Sequence, residues 1–324
     1  MNEKNISTFI PLNKKGLNCL EACLLSLTSF YYDEYRAALL QCFNFNFVEE
    51  PINNIEIIGN HFDQIPTKIC NYIDELYNIR IFEYLFDSPY KKFDFVCQSL
   101  LENEVIVLMI SAYYCNWLQT YHTTHQQHFI IILGKTDKNT FICSDPMFMG
   151  SNLSRMSFDD FINGCQCVWR IERQKIAPPL DMDYLILLTH NHLEKLQLER
   201  SFNLFINELY NTQSLDNEYT NSKSVGWPSI LDKHIGYFLS GTHQLYAEYL
   251  MFLTSLKTYL QPLTEEAERS LQISKKWNNL RAIFYKSYLK NTFQDNKIKI
   301  VNIIKEIEIM SIDLKDRVLK SLSQ

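Results

Sequence analysis

The chain contains little glycine and proline, with 8 and 9 residues among 324. Long flexible linkers and fibrous repeats depend on these two residues, so neither is expected here. Fixed-period repeats and low-complexity runs are also absent from the sequence. The length instead suits two domains, or one large domain, with enough residues to bury a substantial core.

A surplus of positive charge is missing as well, since the formal net charge is −6. This balance argues against nucleic-acid binding as the main activity. The strongly apolar run HFIIILG is far too short to span a bilayer, and the first residues lack the basic and apolar regions of a signal peptide. We therefore expect a soluble cytoplasmic protein without a membrane partner. Its nine cysteines follow no disulfide framework and should be free thiols in a reducing compartment.

Hydrophobic periodicity changes along the chain. Up to about residue 100, apolar residues recur at helical spacing, as in the stripe from Leu20 to Leu27. From 104 to 173 the pattern favours strands, because EVIVLMISAYY is rich in β-branched residues and HFIIILGKTDKNTFICSDP is typical of a hairpin with KTDKN as its turn. The segment MSFDDFING predicts a short helix between strands, with Ser157 as its N-cap.

Two prolines in KIAPPLDMDY, residues 175–184, mark a domain boundary, and the chain beyond it has helical patterns with apolar stripes. We predict an α+β protein. Its first domain, residues 1–175, combines N-terminal helices with an antiparallel sheet, and its second domain, residues 180–324, is all-helical.

The segment NCLEACLLSL places two cysteines four residues apart at the predicted start of a helix. Asn18 is a good N-cap residue, so Cys19 falls in the first turn, where the positive end of the helix macrodipole favours the thiolate. Cys23 lies on the apolar stripe, where burial would raise the pKa of its thiol and make it inert. If one of the two is a nucleophile, the pattern favours Cys19.

A cysteine nucleophile needs a base, and the base needs a group that orients it. His128 begins the strand HFIIILG, where its ring is able to project from the strand end. Asp145 follows the next strand, in CSDP, and lies beside His128 if the two strands pair. The side chain of Asn13 and the backbone N–H of Cys19 are candidate donors for an oxyanion.

A zinc site is the rival interpretation of these residues. His122, His125 and His128 recur at every third position, with Cys115 upstream, and zinc favours such ligands. In an extended segment, however, His125 and His128 point to opposite faces, which argues against a shared site. We therefore expect no metal, with His122 and His125 as polar loop residues.

Residues 10–173 resemble the C39-peptidase-like branch of the papain-like cysteine proteases. NCLEAC is similar to the motif D-C-G-x-A-C, HFIIILG to the histidine-bearing strand and DP at 145–146 to the aspartate-bearing turn. SFDDFINGCQCVWRIE resembles the helix and strand that follow. The resemblance implies a papain-like fold in which Cys19, His128 and Asp145 form a catalytic triad and Cys23 packs in the core.

Two positions depart from that family pattern. The glycine expected after the nucleophile is Leu20, and the glutamine expected to stabilise the oxyanion is Asn13. The shorter amide of Asn13 reaches less far, so the oxyanion donor is in question. Both departures weaken the case for a conventional peptidase.

Within this branch, the chain resembles the butirosin-biosynthesis-protein-H-like acyltransferases, which include the protease-like amide synthase of closthioamide assembly. AERSLQISKKWNNLRAIF is similar to a helix of their C-terminal region. The resemblance implies that an acyl group passes from a carrier-protein phosphopantetheine thioester to Cys19, with His128 taking the thiol proton. An amine or diamine then receives the acyl group in natural-product biosynthesis, without a cofactor.

Two further hypotheses accompany this resemblance. The helices of residues 180–324 would cover the cleft and keep water from the acyl-enzyme, and Lys14 and Lys15 would contact the carrier protein. Two other function classes also fit the sequence. A C39-like cysteine peptidase would cleave peptides without an amine acceptor, and a non-catalytic binding module would have an unreactive Cys19.

Overall fold

The computed structural model describes residues 9–52, 55–63, 68–136, 140–149, 152–173, 179–220 and 226–323. The protein is α+β, as predicted, with one antiparallel sheet and a C-terminal helical region. Its chain divides into two compact units. The first unit comprises Met1–Ala38 and Pro66–Leu180, and the second comprises Leu39–Ile65 and Asp181–Gln324.

Within its described residues, the first unit contains four α-helices. They are α1 (Cys19–Tyr31), α2 (Lys68–Tyr77), α3 (Pro89–Leu101) and α4 (Phe158–Gly164). Helix α3 begins with a proline. Proline is tolerated at this position because a backbone N–H in the first turn has no acceptor within the helix. Helix α4 has the predicted N-cap, because the hydroxyl of Ser157 accepts a hydrogen bond from the backbone N–H of Asp160 at 3.1 Å.

The sheet of this unit has six antiparallel strands in the order β1-β6-β2-β3-β4-β5. The strands are β1 (Ile79–Tyr84), β2 (Val105–Ser111), β3 (Gln127–Lys135), β4 (Phe141–Ser144), β5 (Leu153–Met156) and β6 (Cys165–Arg173). The predicted pairing of β3 with β4 is confirmed, with Ile131 opposite Ser144. Residues 137–139 of the turn predicted between them lie outside the described residues. A 3₁₀ helix, Ala112–Tyr114, follows β2.

Strand β1 lies in a region for which the sequence predicted helices, so this part of the prediction was wrong. The helical pattern of this region is realised just before the strand, in α2. It ends before Asn78, whose φ of 51° is left-handed and breaks the helical repeat. Ile79 and Ile81 then pair with Arg173 and Ile171 of β6.

The second unit is helical, as predicted for the C-terminal part of the chain. Its helices are α5 (Met182–Lys195), α6 (Leu198–Asn211), α7 (Asp216–Thr220), α8 (Ile230–Lys233), α9 (Ser240–Leu256), α10 (Leu263–Leu289) and α11 (Phe293–Leu322). A π-helix, His234–Leu239, joins α8 to α9, and 3₁₀ helices form at Ile58–His61 and Thr258–Leu260. None of the helices in the described ranges is both long and apolar enough to cross a bilayer.

Residues 39–65 belong to the helical unit, although the sequence analysis assigned them to the first domain. A 3₁₀ helix, Tyr35–Cys42, leads into this segment. Phe45 stacks on Phe202 of α6 with 4.2 Å between ring centroids, and Phe43 stacks on Tyr246 of α9 at 5.0 Å. These rings belong to the core of the helical unit. The hypothesis that this unit covers the cleft stays a prediction.

A buried carboxylate joins the same segment to the helices. Glu218 of α7 is 2% exposed, and its two oxygens accept hydrogen bonds from the backbone N–H of Gly59 at 3.2 and 3.3 Å. Burial raises the pKa of Glu218 to about 7, although the backbone hydrogen bonds from Gly59 and Ile58 oppose the shift. The folded protein therefore holds a proton on Glu218 more tightly than the unfolded chain does.

This proton makes stability depend on pH. The contribution of Glu218 is fully present below its ordinary pKa near 4.5 and is lost as pH rises through about 7. We expect Glu218→Gln to remove this loss, because the amide keeps an acceptor for Gly59 and carries no charge. Urea denaturation at pH 5 and pH 8 should show that the variant gains up to about 3 kcal/mol relative to wild type over this interval.

The exposed Glu50 of the same unit provides a matched control, and Glu50→Gln should leave the pH dependence as in wild type. An unfolding free energy of Glu218→Gln that falls with pH as steeply as that of wild type would contradict the prediction.

Candidate active site

Cys19 is the first residue of α1, and the local sequence explains why the helix begins there. The side chain of Asn18 accepts a hydrogen bond from the N–H of Glu21 at 2.9 Å, and the carboxylate of Glu21 accepts one from the N–H of Asn18 at 2.9 Å. This reciprocal capping box confirms Asn18 as the N-cap. Gly16 turns the chain toward the helix with a φ of 99°, which residues with a side chain rarely adopt.

Exposure distinguishes Cys19 from most other cysteines. Among the eight cysteines whose side chains the structure describes, Cys19 and Cys97 are partly exposed and the remaining six are buried. Cys23 is fully buried one turn into α1, and its thiol donates to the backbone carbonyl of Phe129 on β3 at 3.5 Å. Burial raises the pKa of Cys23 well above its ordinary value, and the nearby charge of Asp145 adds to the shift. Cys23 therefore packs α1 against the sheet as an unreactive thiol.

The structure brings Cys19, His128 and Asp145 together. His128 is the second residue of β3, and Asp145 comes directly after the neighbouring strand β4. Nε2 of His128 donates to Oδ2 of Asp145 across 2.7 Å, and the thiol of Cys19 is near enough to the ring to raise the pKa of His128. Because Asp145 occupies Nε2, Nδ1 is the nitrogen left for Cys19. Asp145 thus holds Nε2 of this histidine, whereas in the Ser-His-Asp triad the carboxylate holds Nδ1.

The environment of His128 favours the imidazolium. Its side chain is almost completely buried, and this burial alone would lower its pKa. The hydrogen bond to Asp145 and then the hydrogen bond to Cys19 outweigh the burial, and they raise the pKa of His128 to about 10. His128 therefore keeps its proton at neutral pH.

Asp145 is fully buried and accepts hydrogen bonds at both oxygens. Oδ1 accepts from the backbone N–H of Met147 at 3.1 Å and from that of Phe148 at 3.2 Å. Oδ2 accepts from the indole Nε1–H of Trp117 at 2.8 Å, in addition to His128. Four donors thus compensate the carboxylate for its removal from water.

Sequence reasoning missed two residues that position this site. Trp117 lies in the polar connection between β2 and β3, where nothing in the local pattern connects it with Asp145. Gly16 had a weak signal, because it is an isolated glycine just before a capping asparagine in a chain with few glycines. The rings of Phe148 and His128 are also in T-shaped contact, with 5.4 Å between their centroids, and Phe148 is 54% exposed.

The other predicted site residues precede α1. The side chain of Asn13 is exposed, six residues before Cys19, and Lys14 and Lys15 are partly buried beside the Gly16 turn. Water competes for an exposed amide, so the structure does not favour Asn13 as an oxyanion donor. The backbone N–H of Cys19 is a stronger candidate, since the first N–H groups of a helix lack acceptors within it.

The histidines of the rival zinc site have separate partners. The ring of His125 pairs with the hydroxyl of Ser111 at 3.0 Å through Nδ1 and stacks on Tyr113. His122 stacks on Tyr121 at 3.9 Å between centroids, and Cys115 is buried. Across the described ranges, no three His, Cys, Asp or Glu side chains are grouped so that they could hold a metal ion.

Comparison with models of protein families found no match to this chain. Comparison with curated protein sequences found none either. The geometry of Cys19, His128 and Asp145 is therefore the basis for any assignment of function.

Proposed function

We propose that the protein is a cysteine-dependent acyltransferase that forms an amide from a carrier-bound thioester and an amine. The observation that carries the proposal is the placement of His128 between Cys19, a partly exposed thiol at a helix start, and Asp145, a buried carboxylate. These three groups are the nucleophile, the base and the orienting group that acyl transfer through a covalent intermediate requires. The papain-like resemblance of residues 10–173 agrees with this assignment of roles.

In the first half-reaction, the thiolate of Cys19 attacks the thioester carbonyl carbon. A carbon–sulfur bond to Cys19 forms, and the carbonyl oxygen becomes an oxyanion that the backbone N–H of Cys19 is placed to stabilise. As the intermediate collapses, the bond to the pantetheine sulfur breaks. His128 gives its proton to the leaving thiolate, so a neutral pantetheine thiol departs and the acyl group stays on Cys19.

In the second half-reaction, a neutral amine attacks the acyl carbon. His128 now accepts the amine proton, and the bond between the acyl carbon and Cys19 breaks as the amide forms. The cycle ends with a Cys19 thiolate beside a His128 imidazolium. Asp145 holds the imidazole in position through both steps and stabilises its charged form.

The donor is expected to be a phosphopantetheine thioester on an acyl or peptidyl carrier protein. Such carriers present a phosphate and an acidic surface, which basic side chains near the nucleophile would attract. Lys14 and Lys15 lie five and four residues before Cys19, respectively, and we assign them to this contact. Amide formation by this route needs no metal or organic cofactor.

Incubation with S-acyl pantetheine thioesters tests the proposal directly. Without an amine, intact mass spectrometry should show one acyl group per protein, and peptide mapping should place it on Cys19. Added amines or diamines should discharge this acyl group as an amide faster than water releases it as an acid. Cys97→Ser, which removes the second partly exposed thiol among the cysteines whose side chains are described, should behave as wild type.

Other outcomes would favour the alternative functions. Release of free acid at a rate that no amine changes would indicate a hydrolase of the cysteine peptidase class. Absence of an acyl-enzyme, together with slow iodoacetamide labelling of Cys19, would indicate a non-catalytic binding module.

A further inference from the structure

Trp117 donates its indole hydrogen bond to the same carboxylate oxygen that holds His128. The distance from Nε1 of Trp117 to Oδ2 of Asp145 is 2.8 Å, and the distance from Nε2 of His128 to this oxygen is 2.7 Å. Two N–H groups from different parts of the chain therefore converge on one oxygen. The other oxygen of Asp145 is occupied by backbone N–H groups of the turn that follows.

The chemistry of the indole determines which group donates and which accepts in this hydrogen bond. An indole N–H is a donor only, whereas an imidazole nitrogen either donates or accepts. Oδ2 of Asp145 must therefore accept where it faces Trp117, and an N–H directed at this oxygen favours the unprotonated carboxylate, which is the stronger acceptor. An unprotonated Oδ2 requires Nε2 of His128 to be the donor. In neutral His128, this leaves Nδ1 as the lone-pair nitrogen for Cys19.

Hydrogen bonds made by the residues before and after Trp117 hold it in place. The preceding residue, Asn116, donates from its side-chain amide to the backbone carbonyl of Arg155 on β5 at 3.1 Å. The following residue, Leu118, closes a turn by donating its N–H to the carbonyl of Cys115 at 2.9 Å. The partly buried indole packs against the hydrophobic core that surrounds the buried Cys115. The indole position is therefore set before any substrate binds.

We propose that Trp117 is a positioning residue that keeps Asp145 an acceptor and thereby keeps Nδ1 of His128 directed at Cys19. This role rests on the proposed function, because it assumes that Cys19 is the nucleophile that His128 serves. In this role Trp117 acts through Asp145 and not on the reacting atoms.

The pH profile of Cys19 alkylation separates this role from simple packing. Trp117→Phe keeps an aromatic ring and removes the N–H, so Asp145 would hold His128 less firmly and the imidazolium would stabilise the thiolate less. We expect iodoacetamide to label Cys19 about tenfold more slowly than in wild type at pH 7. Near pH 10, where the thiolate forms without help, the two rates should agree within about twofold.

Trp169→Phe is the matched control in the same unit, because Trp169 is partly buried on β6 and its ring contacts Phe129. It should leave the profile unchanged. A Trp117→Phe profile identical to that of wild type, or one lowered by the same factor at every pH, would overturn the proposal. If this profile has the predicted shape but thioesters are not consumed, the acyltransferase function fails and the positioning role stands.

A second measurement uses the unmutated protein, in case Trp117→Phe does not fold. The chain has four tryptophans, so four indole N–H resonances are expected in a ¹H–¹⁵N spectrum. The resonance of an indole bound to a buried carboxylate should lie downfield, and it should move when Cys19 is alkylated and His128 changes its charge. If all four resonances stay in place on alkylation of Cys19, the proposed connection is excluded.

Discussion

Cys19→Ala should abolish acyl transfer, with a loss on the order of 10⁴-fold or more, because no other described thiol combines exposure with a histidine partner. The variant should also lose the fast phase of iodoacetamide labelling between pH 5 and pH 9. Stability should change little, since Cys19 is partly exposed and the capping box of α1 does not use its side chain. Intact mass spectrometry and a thioester consumption assay measure both effects.

Two control variants make this result specific. Cys97→Ser removes a partly exposed thiol that lies on α3, and it should retain both labelling and transfer. His128→Ala should slow labelling at neutral pH, whereas His125→Ala, which removes an exposed histidine three residues earlier, should not. Full transfer activity in Cys19→Ala would show that the nucleophile is elsewhere.

Asp145→Ala should reduce both activity and stability. Transfer should fall on the order of 10³-fold, because His128 would lose the group that orients its ring and raises its pKa. The unfolding free energy should fall by about 3 kcal/mol, because Trp117, Met147 and Phe148 would keep N–H donors that have lost their acceptor. Steady-state kinetics and urea denaturation measure the two effects separately.

Asp145→Asn and Ser144→Ala complete this test. The asparagine variant keeps the size of the side chain, so we expect it to lose activity with a smaller cost in stability. Ser144 is the fully buried neighbour of Asp145, and its hydroxyl has no hydrogen-bond partner within the described part of the chain. Ser144→Ala should therefore change neither quantity. An Asp145→Ala protein that is as active as wild type would exclude the carboxylate from the mechanism.

The parts of the site that the sequence predicted are those with local signals. Asn18 was predicted as the N-cap, and the structure confirms it, with Glu21 completing the capping box that begins α1. The apolar pattern of β3 and β4 predicted the hairpin that brings His128 beside Asp145. Cys23 was predicted to be buried from its place on the apolar stripe, and the structure confirms its burial.

The parts that sequence reasoning missed depend on contacts between distant residues. Trp117 meets Asp145 across 28 positions of sequence, and no periodicity encodes such a contact. Strand β1 is short and follows α2 with one residue between them, so the helical pattern before it concealed its start. The apolar character of Phe43 and Phe45 predicts burial but does not indicate in which unit. Their stacking partners, Tyr246 and Phe202, lie far along the chain.

The placement of residues 39–65 in the helical unit has a consequence for the order of synthesis on the ribosome. This segment leaves the exit tunnel before Pro66–Leu180, the second stretch of the first unit. The remainder of its own unit begins only at Asp181, more than a hundred residues later. At elongation rates of about 5–20 residues per second, Phe43 and Phe45 would wait on the order of ten seconds for Phe202 and Tyr246 to emerge. During that interval the nascent chain exposes aromatic residues that a chaperone would recognise. The two stretches of the first unit are therefore both synthesised before the partners of the segment between them in sequence exist.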